Sequence, residues 1–190
     1  DIQVKDANGF LRSVRFFDAT QAANNAFHVV DQFTGANADG EVFRPDLLIF
    51  VNGLPLALLE CKAIHHRLDE ALMQLEGYQA YFAPHFVFNQ VCVALNRGEG
   101  AYGATGARAA SYMRYRLQDT ERAAVATLLG REPSGQDELL WALFEPSRFL
   151  ELITHFILFE TRDGKTVKKL PRYQQWRAVR KAVDRLTSTR

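Results

Sequence analysis

The central structural element of this chain is predicted by residues 44–63, RPDLLIFVNGLPLALLECKA. Two apolar runs flank the dipeptide Asn52-Gly53, which is typical of a tight β-hairpin turn. The pattern therefore predicts two antiparallel strands, at about 45–51 and 56–62.

Three charged residues, Asp46, Glu60 and Lys62, interrupt these apolar strands. Side chains alternate between the two faces of a strand, so Glu60 and Lys62 share one face. A two-residue turn would pair Asp46 with Leu59 and leave Glu60 on the other face. A three-residue loop would pair Asp46 with Glu60. We favour the longer loop, because glycine supplies its left-handed position and Pro55, which lacks an N–H, suits the start of a strand.

The longer loop brings two carboxylates together beside an ammonium group. Two close carboxylates repel each other unless a cation lies between them. Mg²⁺ prefers oxygen ligands from one or two carboxylates, water and phosphate. The pattern therefore favours a magnesium site at Asp46 and Glu60, with Lys62 as a catalytic group in phosphodiester hydrolysis. The alternative is a purely structural ion pair between Lys62 and one of the two acids.

The remaining periodicity predicts an α/β fold, a central mixed β-sheet flanked by helices. Pro84 ends the helix that follows the hairpin. Four glycines between residues 97 and 107 predict an irregular loop. The other predicted elements are strands at 10–17, 26–34, 86–95 and 111–117, a helix at 67–82, helical pieces within 119–154, a hairpin at 156–170 and a basic helix at 172–187.

Composition excludes several classes of protein. Of the residues, 47% are hydrophobic and 24% are charged, as in an ordinary globular protein. Cys61 and Cys92 are too few for a disulfide framework, so we expect a reducing cytoplasm. No apolar run is long enough for a transmembrane span, so we expect no membrane partner. Residue 1 is Asp rather than Met, and we expect the chain to start inside a longer protein.

Charge is distributed unevenly along the chain. Residues 1–161 contain 13 basic and 20 acidic residues, whereas residues 162–190 contain 10 basic and 2 acidic residues. If the acidic part meets DNA, a metal cation or another domain has to offset the repulsion. The change in charge predicts a domain boundary near residue 161.

The motif formed by Pro45-Asp46 and Glu60-Cys61-Lys62 resembles that of the PD-(D/E)xK nucleases. The surrounding sequence, with NNAFHVVDQF at 24–33, is similar to the nuclease domain of the R (restriction and motor) subunit of type I restriction enzymes. This resemblance implies a restriction-endonuclease-like core, in which Asp46 and Glu60 bind the metal and Lys62 is catalytic. The family also carries a Gln-x-x-x-Tyr motif after the Glu-x-Lys strand. It corresponds here to Gln74 and Tyr78, which would assist at the site or contact DNA.

The same resemblance implies the surroundings of the domain. Residues 1–161 would form the endonuclease domain, and residues 162–190 a linker and the first basic helix of a truncated helicase-like motor. Gln175 would then contact the adenine of ATP, which only the full-length subunit hydrolyses. The expected partners are double-stranded DNA and the methyltransferase and specificity subunits. A phosphate loop at Gly164-Lys165-Thr166 is rejected, because its pattern needs glycine where this chain has Phe159.

Weaker candidates and rival functions stay open. Asp31 could be a third metal ligand, and Gln32 is a similar candidate. His65-His66 is expected to lie in an ordinary loop, and roles in DNA binding for Arg97 and Arg108 are open. The rivals are a stand-alone or repair-type nuclease and a non-catalytic docking module with a structural ion-pair network.

Overall fold

The computed structural model describes residues 2–162 and 164–188. These residues form a mixed α/β fold. The elements, in chain order, are β1 (Ile2–Lys5), β2 (Leu11–Val14), β3 (Phe27–Asp31), β4 (Gly35–Ala36), β5 (Val42–Phe43), β6 (Leu47–Val51), β7 (Leu54–Lys62), α1 (Leu68–Tyr81), β8 (Val91–Asn96), β9 (Gly100–Ala104), α2 (Asp119–Leu129), α3 (Gly135–Phe144), α4 (Pro146–His155), β10 (Leu158–Arg162), β11 (Lys165–Lys169) and α5 (Tyr173–Ser188).

The central sheet has five strands in the order β3-β6-β7-β8-β9. All neighbouring pairs are antiparallel except β7 and β8, which are parallel. Parallel neighbours need a long crossover connection, and α1 provides it between β7 and β8. The predicted mixed sheet flanked by helices is confirmed.

The hairpin turn is shorter than we predicted. Val51 pairs directly with Leu54, so the turn consists only of Asn52 and Gly53. Both turn residues have positive φ angles, 49° and 85°, as a type I′ turn requires. The preference for a three-residue loop was therefore wrong, because the two residues that suit this turn best are already Asn and Gly.

A β-bulge restores the register that the short turn would have lost. Phe50 pairs with Pro55 but Ile49 pairs with Ala57, so Leu56 is an extra residue on β7. A bulge of this kind shifts every later pair by one residue. Beyond it the pairing reaches Leu47 with Leu59, and its continuation sets Asp46 opposite Glu60.

Two apolar cores cover the two faces of the sheet. On one face, α1 packs through Leu68, Ala71, Leu72 and Leu75 against Leu48 and Leu58 of the hairpin. On the other face, the larger core joins α3 and α4 to the sheet, and Trp176 of α5 belongs to it. The hairpin is therefore held rigidly from both sides.

The predicted loop at 97–107 is wrong in its middle, because Gly100–Ala104 forms the buried edge strand β9. Two glycines permit close packing there. A Cβ on Gly100 would lie 2.7 Å from Leu139 Cδ2, and one on Gly103 would lie 2.9 Å from the Tyr112 ring. The glycines thus signal close approach within a strand rather than a loop.

The strand predicted at 111–117 is also wrong. Ser111 ends a short 3-10 helix, and the one β pairing described for this segment is an isolated bridge between Met113 and Tyr102. The hairpin predicted at 156–170 is confirmed by β10 and β11, which pair antiparallel. The three helices α2, α3 and α4 confirm the helical pieces predicted within 119–154.

The basic C-terminal segment packs on the sheet domain. Trp176 is 2% exposed and donates from Nε1 to Glu151 Oε2 at 3.2 Å, and Tyr102 donates its hydroxyl to the Pro171 carbonyl at 2.8 Å. The predicted boundary at residue 161 falls within the β10–β11 hairpin, and the division into two domains stays a prediction. No helix within the described part of the chain is both long and apolar enough to cross a membrane.

Candidate active site

Asp46 and Glu60 meet across the hairpin on the face that α1 covers. Asp46 Oδ2 accepts the backbone N–H of Cys61 at 2.7 Å, which fixes this carboxylate beside the end of β7. Glu60 is 2% exposed. Burial and, to a smaller extent, the Asp46 charge raise the pKa of Glu60, as expected for a buried carboxylate beside another. The predicted juxtaposition of the two acids is present.

Lys62 is joined to the helix through a chain of hydrogen bonds. Its ammonium group donates to Glu60 Oε1 at 2.9 Å and to Gln74 Oε1. Gln74 donates from Nε2 to the Tyr78 hydroxyl at 2.7 Å, and Tyr78 donates to the Arg44 carbonyl at 3.0 Å. Burial raises the pKa of Tyr78, so its hydroxyl stays protonated and can donate the hydrogen bond to the Arg44 carbonyl. Gln74 and Tyr78 thus brace Lys62 against the segment that carries Asp46.

Glu60 is electrostatically incomplete in this arrangement. Its Oε2 atom is buried and has no hydrogen-bond partner among the described residues. Burial raises the pKa of Glu60 to about 7, and the ion pair with Lys62 offsets only part of this effect. A buried carboxylate oxygen without a partner is costly, so a further cation or proton donor beside this oxygen would stabilise the site.

The available oxygens fit a hard divalent cation. The Asp46 carboxylate and the unpaired Glu60 oxygen are the donor atoms that Mg²⁺ prefers. Within residues 2–162 and 164–188, no group of three or more His, Cys, Asp or Glu side chains could hold a metal. A metal here would therefore take its remaining ligands from water, backbone carbonyls or a substrate phosphate.

Asp31 is not brought into this cluster. It pairs with Leu47 on the neighbouring strand, and paired residues present their side chains on the same face of a sheet. Leu47 packs against the core of α3 and α4, so Asp31 lies on the face opposite Asp46. Its exposed carboxylate is consequently a matched control for the two acids of the site.

The sequence did not identify Arg44 as a site residue, although it makes two contacts beside the site. Its carbonyl accepts from Tyr78, and its guanidinium donates to Gln32 Oε1. The N–H of Gln32 donates to the Asp46 carbonyl at 2.9 Å, and Gln32 has a positive φ of 48°. Arg44 directly precedes the Pro45-Asp46 motif, which could have marked it as a candidate. Every residue type offers a backbone carbonyl, however, so the sequence does not reveal the contact with Tyr78.

The two adjacent histidines follow the end of β7. Their rings lie 4.4 Å apart between centroids, and His66 Nδ1 is 2.8 Å from Glu70 Oε2. Both line a cavity of about 520 Å³ with Asn96 and Arg114. The expected ordinary loop is present between β7 and α1.

Gln175 and the two exposed arginines lie away from the acids. Gln175 Oε1 accepts the backbone N–H of Arg172 at 2.8 Å, which satisfies a free donor at the start of α5. It also lines a cavity of about 400 Å³ with Phe156 and Val179. The exposed residue Arg97 follows β8, and the exposed residue Arg108 lies beyond β9.

Comparison with known proteins identifies the family. Residues 1–111 match the family described as Type I restriction enzyme R protein N terminus. The chain belongs to this family. The match includes all five predicted site residues of the hairpin and α1, namely Asp46, Glu60, Lys62, Gln74 and Tyr78.

Relatives of this R-protein N terminus are found in bacteria and archaea. The HindI endonuclease subunit of Haemophilus influenzae is 34% identical over 182 residues, which cover 92% of this chain and 17% of the relative. A Methanocaldococcus jannaschii protein named as the MjaVIIIP endonuclease subunit is 27% identical over 179 residues, covering 92% of this chain and 16% of the relative. The chain thus spans less than a fifth of the length of these relatives.

Proposed function

We propose that this chain is the nuclease domain of a type I restriction enzyme R subunit and that it hydrolyses DNA phosphodiester bonds with Mg²⁺. The observation that carries the proposal is the buried, unpaired oxygen of Glu60 beside Asp46 and Lys62. A divalent cation would pair this oxygen, which the ion pair between Glu60 Oε1 and Lys62 leaves without a partner among the described residues. The family match and the endonuclease relatives support the same function.

Asp46 and Glu60 would hold the metal, which when bound lowers the pKa of water and stabilises charge on a phosphate. Lys62 donates to two acceptors on the protein, and an ammonium group has three donors. Its third N–H is therefore free to hold an attacking water or a phosphate oxygen. Gln74 and Tyr78 act as positioning residues that hold Lys62 at this point.

We further propose the surroundings that the family implies. Cleavage would be coupled to ATP-driven DNA translocation by the motor of the full-length subunit, in a cytoplasmic complex with methyltransferase and specificity subunits. Residues 162–190 would lead into that motor, where Gln175 would contact adenine. The cap contact of Gln175 to Arg172 occupies one of its oxygen lone pairs, which leaves its amide N–H groups for a ligand.

The first test measures metal binding by this chain directly. Calorimetric titration with Mg²⁺ should show binding to wild type and to Asp31→Asn, and much weaker binding to Asp46→Asn and Glu60→Gln. Asp31→Asn removes the same charge from the other face of the sheet, so it controls for net charge. Equal binding by all four proteins would overturn the metal site.

The second test measures cleavage. Plasmid DNA should be cut by the reconstituted full-length complex with ATP and Mg²⁺, and substitution of Asp46 or Lys62 by Ala should abolish cutting. ATP hydrolysis should persist in both variants, because neither residue belongs to the proposed motor. Cutting at the wild-type rate by either variant would favour the rival reading, a non-catalytic docking module.

A further inference from the structure

A second cavity, with a mixed apolar and cationic lining, lies beside the edge strand β9, toward the end of the strands opposite the candidate active site. It has a volume of about 560 Å³ and lies between the turn after β9 and strand β11. Ala104, on its wall, pairs with Val91 at the start of β8, whereas Lys62 pairs with Asn96 at the end of that strand. Five residues of strand separate the two levels, roughly 17 Å. The cavity is therefore separate from the acids.

The lining of this cavity is cationic. Arg108, Lys168 and Lys169 line it together with Ser111, and the described lining includes no carboxylate side chain. Lys169 forms an ion pair with Glu160 across the β10–β11 hairpin. For Arg108 and Lys168, no ion pair is formed with any other residue that the structure describes. Two of the three cations thus lack a counter-charge.

Lys168 is more buried than the two exposed cations, Arg108 and Lys169. It is half-buried, and its ammonium group donates to the Asn89 carbonyl at 2.7 Å. Burial lowers the pKa of Lys168, because an ammonium group loses solvation in a partly apolar site. A single carbonyl uses one of its three donors, and an anion in the cavity would supply the missing charge.

We propose that this cavity is a phosphate-binding site, in which Arg108 and Lys168 neutralise the anion and Lys169 and Ser111 supply further donors. Arginine offers a planar pair of donors to phosphate, and lysine offers a compact positive charge. The phosphate would belong either to the backbone of a DNA duplex or to a small phosphate ligand. The site is independent of the nuclease proposal, because the described lining of the cavity includes none of Asp46, Glu60 and Lys62.

The test compares two cavity variants with a charge-matched control. Arg108→Gln removes an exposed cation, and Lys168→Met removes the half-buried one while keeping an unbranched apolar side chain. Lys181→Gln removes an exposed cation of α5 outside the cavity. Thermal unfolding followed by circular dichroism first shows that each variant is folded. If Lys168→Met fails to fold, Arg108→Gln carries the test, because its side chain is exposed.

Binding is then measured in metal-free buffer, where no cleavage occurs. Fluorescence anisotropy of a short labelled duplex gives the dependence of affinity on KCl concentration. Each lost phosphate contact should reduce the slope of log K against log salt by about 0.9. In parallel, amide resonances of residues 104–111 and 167–170 are followed by NMR during titration with inorganic phosphate.

The two readouts distinguish the source of the phosphate. A smaller salt slope in both cavity variants, with the control unchanged, would assign the site to a DNA backbone. Unchanged slopes together with phosphate-induced shifts that Arg108→Gln abolishes would assign it to a small phosphate ligand. If neither probe separates the cavity variants from Lys181→Gln, the proposal is wrong. Because no readout uses cleavage, failure here is distinguishable from failure of the nuclease site.

Discussion

Glu60→Gln is expected to stabilise the metal-free protein at alkaline pH, although it should make metal binding much weaker. Glu60 is buried, burial raises its pKa to about 7, and one of its oxygens has no hydrogen-bond partner in the described part of the chain. Gln has nearly the same shape but no charge to desolvate. The substitution therefore removes the electrostatic cost of the site and keeps its packing.

The sign and size of the effect follow from linkage. An acid whose pKa is higher in the folded state holds its proton longer there, so the stability of wild type falls as pH rises from about 4.5 to about 7. At ~1.4 kcal/mol per pKa unit, this rise corresponds to at most about 3.5 kcal/mol. The free energy of unfolding of Glu60→Gln should thus exceed that of wild type by about 2 to 3 kcal/mol above pH 8, and by little below pH 4.5.

Urea denaturation with EDTA, at about pH 4.5 and about pH 8.5, measures this difference. Addition of Mg²⁺ should then reverse the order. A ligand at one hundred times its dissociation constant stabilises the protein that binds it by about 2.7 kcal/mol. Wild type should gain this stability at alkaline pH, and Glu60→Gln should not. Asp31→Asn serves as the control, since its carboxylate is exposed on the other face.

This prediction is wrong if wild type and Glu60→Gln differ in stability by the same amount at both pH values, because a pH-independent change reports packing and not ionisation. It also fails if Glu60→Gln is the less stable protein at alkaline pH without metal. That result would mean that the ion pair with Lys62 outweighs the burial of the carboxylate, as a structural role requires.

Three further substitutions test the packing of the fold and the hydrogen bonds that position Lys62. Gly100→Ala would place a Cβ 2.7 Å from a methyl group of Leu139. It should lower the free energy of unfolding in urea by about 1 to 3 kcal/mol. The control Gly98→Ala should have little effect, because the space around Gly98 is open. Gly53→Ala should cost about 1 to 2 kcal/mol in the same assay, because φ at this position is +85°. Tyr78→Phe removes the hydroxyl at the end of the brace and should cost about 1 kcal/mol. It should slow DNA cutting by the full-length complex while leaving the calorimetric affinity for Mg²⁺ near that of wild type; loss of Mg²⁺ binding would contradict a positioning role.

The meeting of the two acids could be predicted from the sequence, but its mechanism could not. If Asp46 is to face Glu60, one extra residue has to lie between them, and that residue can lie in the turn or in a strand. Both solutions shift the register equally, so side-chain alternation does not distinguish them. The structure uses the Asn-Gly turn and places the extra residue at Leu56, where its side chain is 4% exposed in the core.

Other parts of the fold and site depended on contacts between distant segments. The strand Gly100–Ala104 was missed because glycine usually disfavours strands, and only the approach of Leu139 and Tyr112 explains its use here. Periodicity alone placed Gln74 and Tyr78 on one face of a helix. That this face meets the Arg44 carbonyl depends on how α1 crosses the sheet, which local sequence does not encode.

The hydrogen bonds from Lys62 to Gln74 and from Gln74 to Tyr78 explain why Glu60 Oε2 has no partner among the described residues. The Lys62 ammonium group donates one hydrogen bond to Glu60 Oε1 and another to the neutral side-chain oxygen of Gln74. Had a second carboxylate stood at position 74, it would have competed for the charge of Lys62 and for any bound cation. A neutral acceptor orients the ammonium without adding charge, and Tyr78 fixes that acceptor in turn. Glu60 Oε2 therefore has no competing donor among the described residues, and we expect this buried oxygen to destabilise the metal-free site.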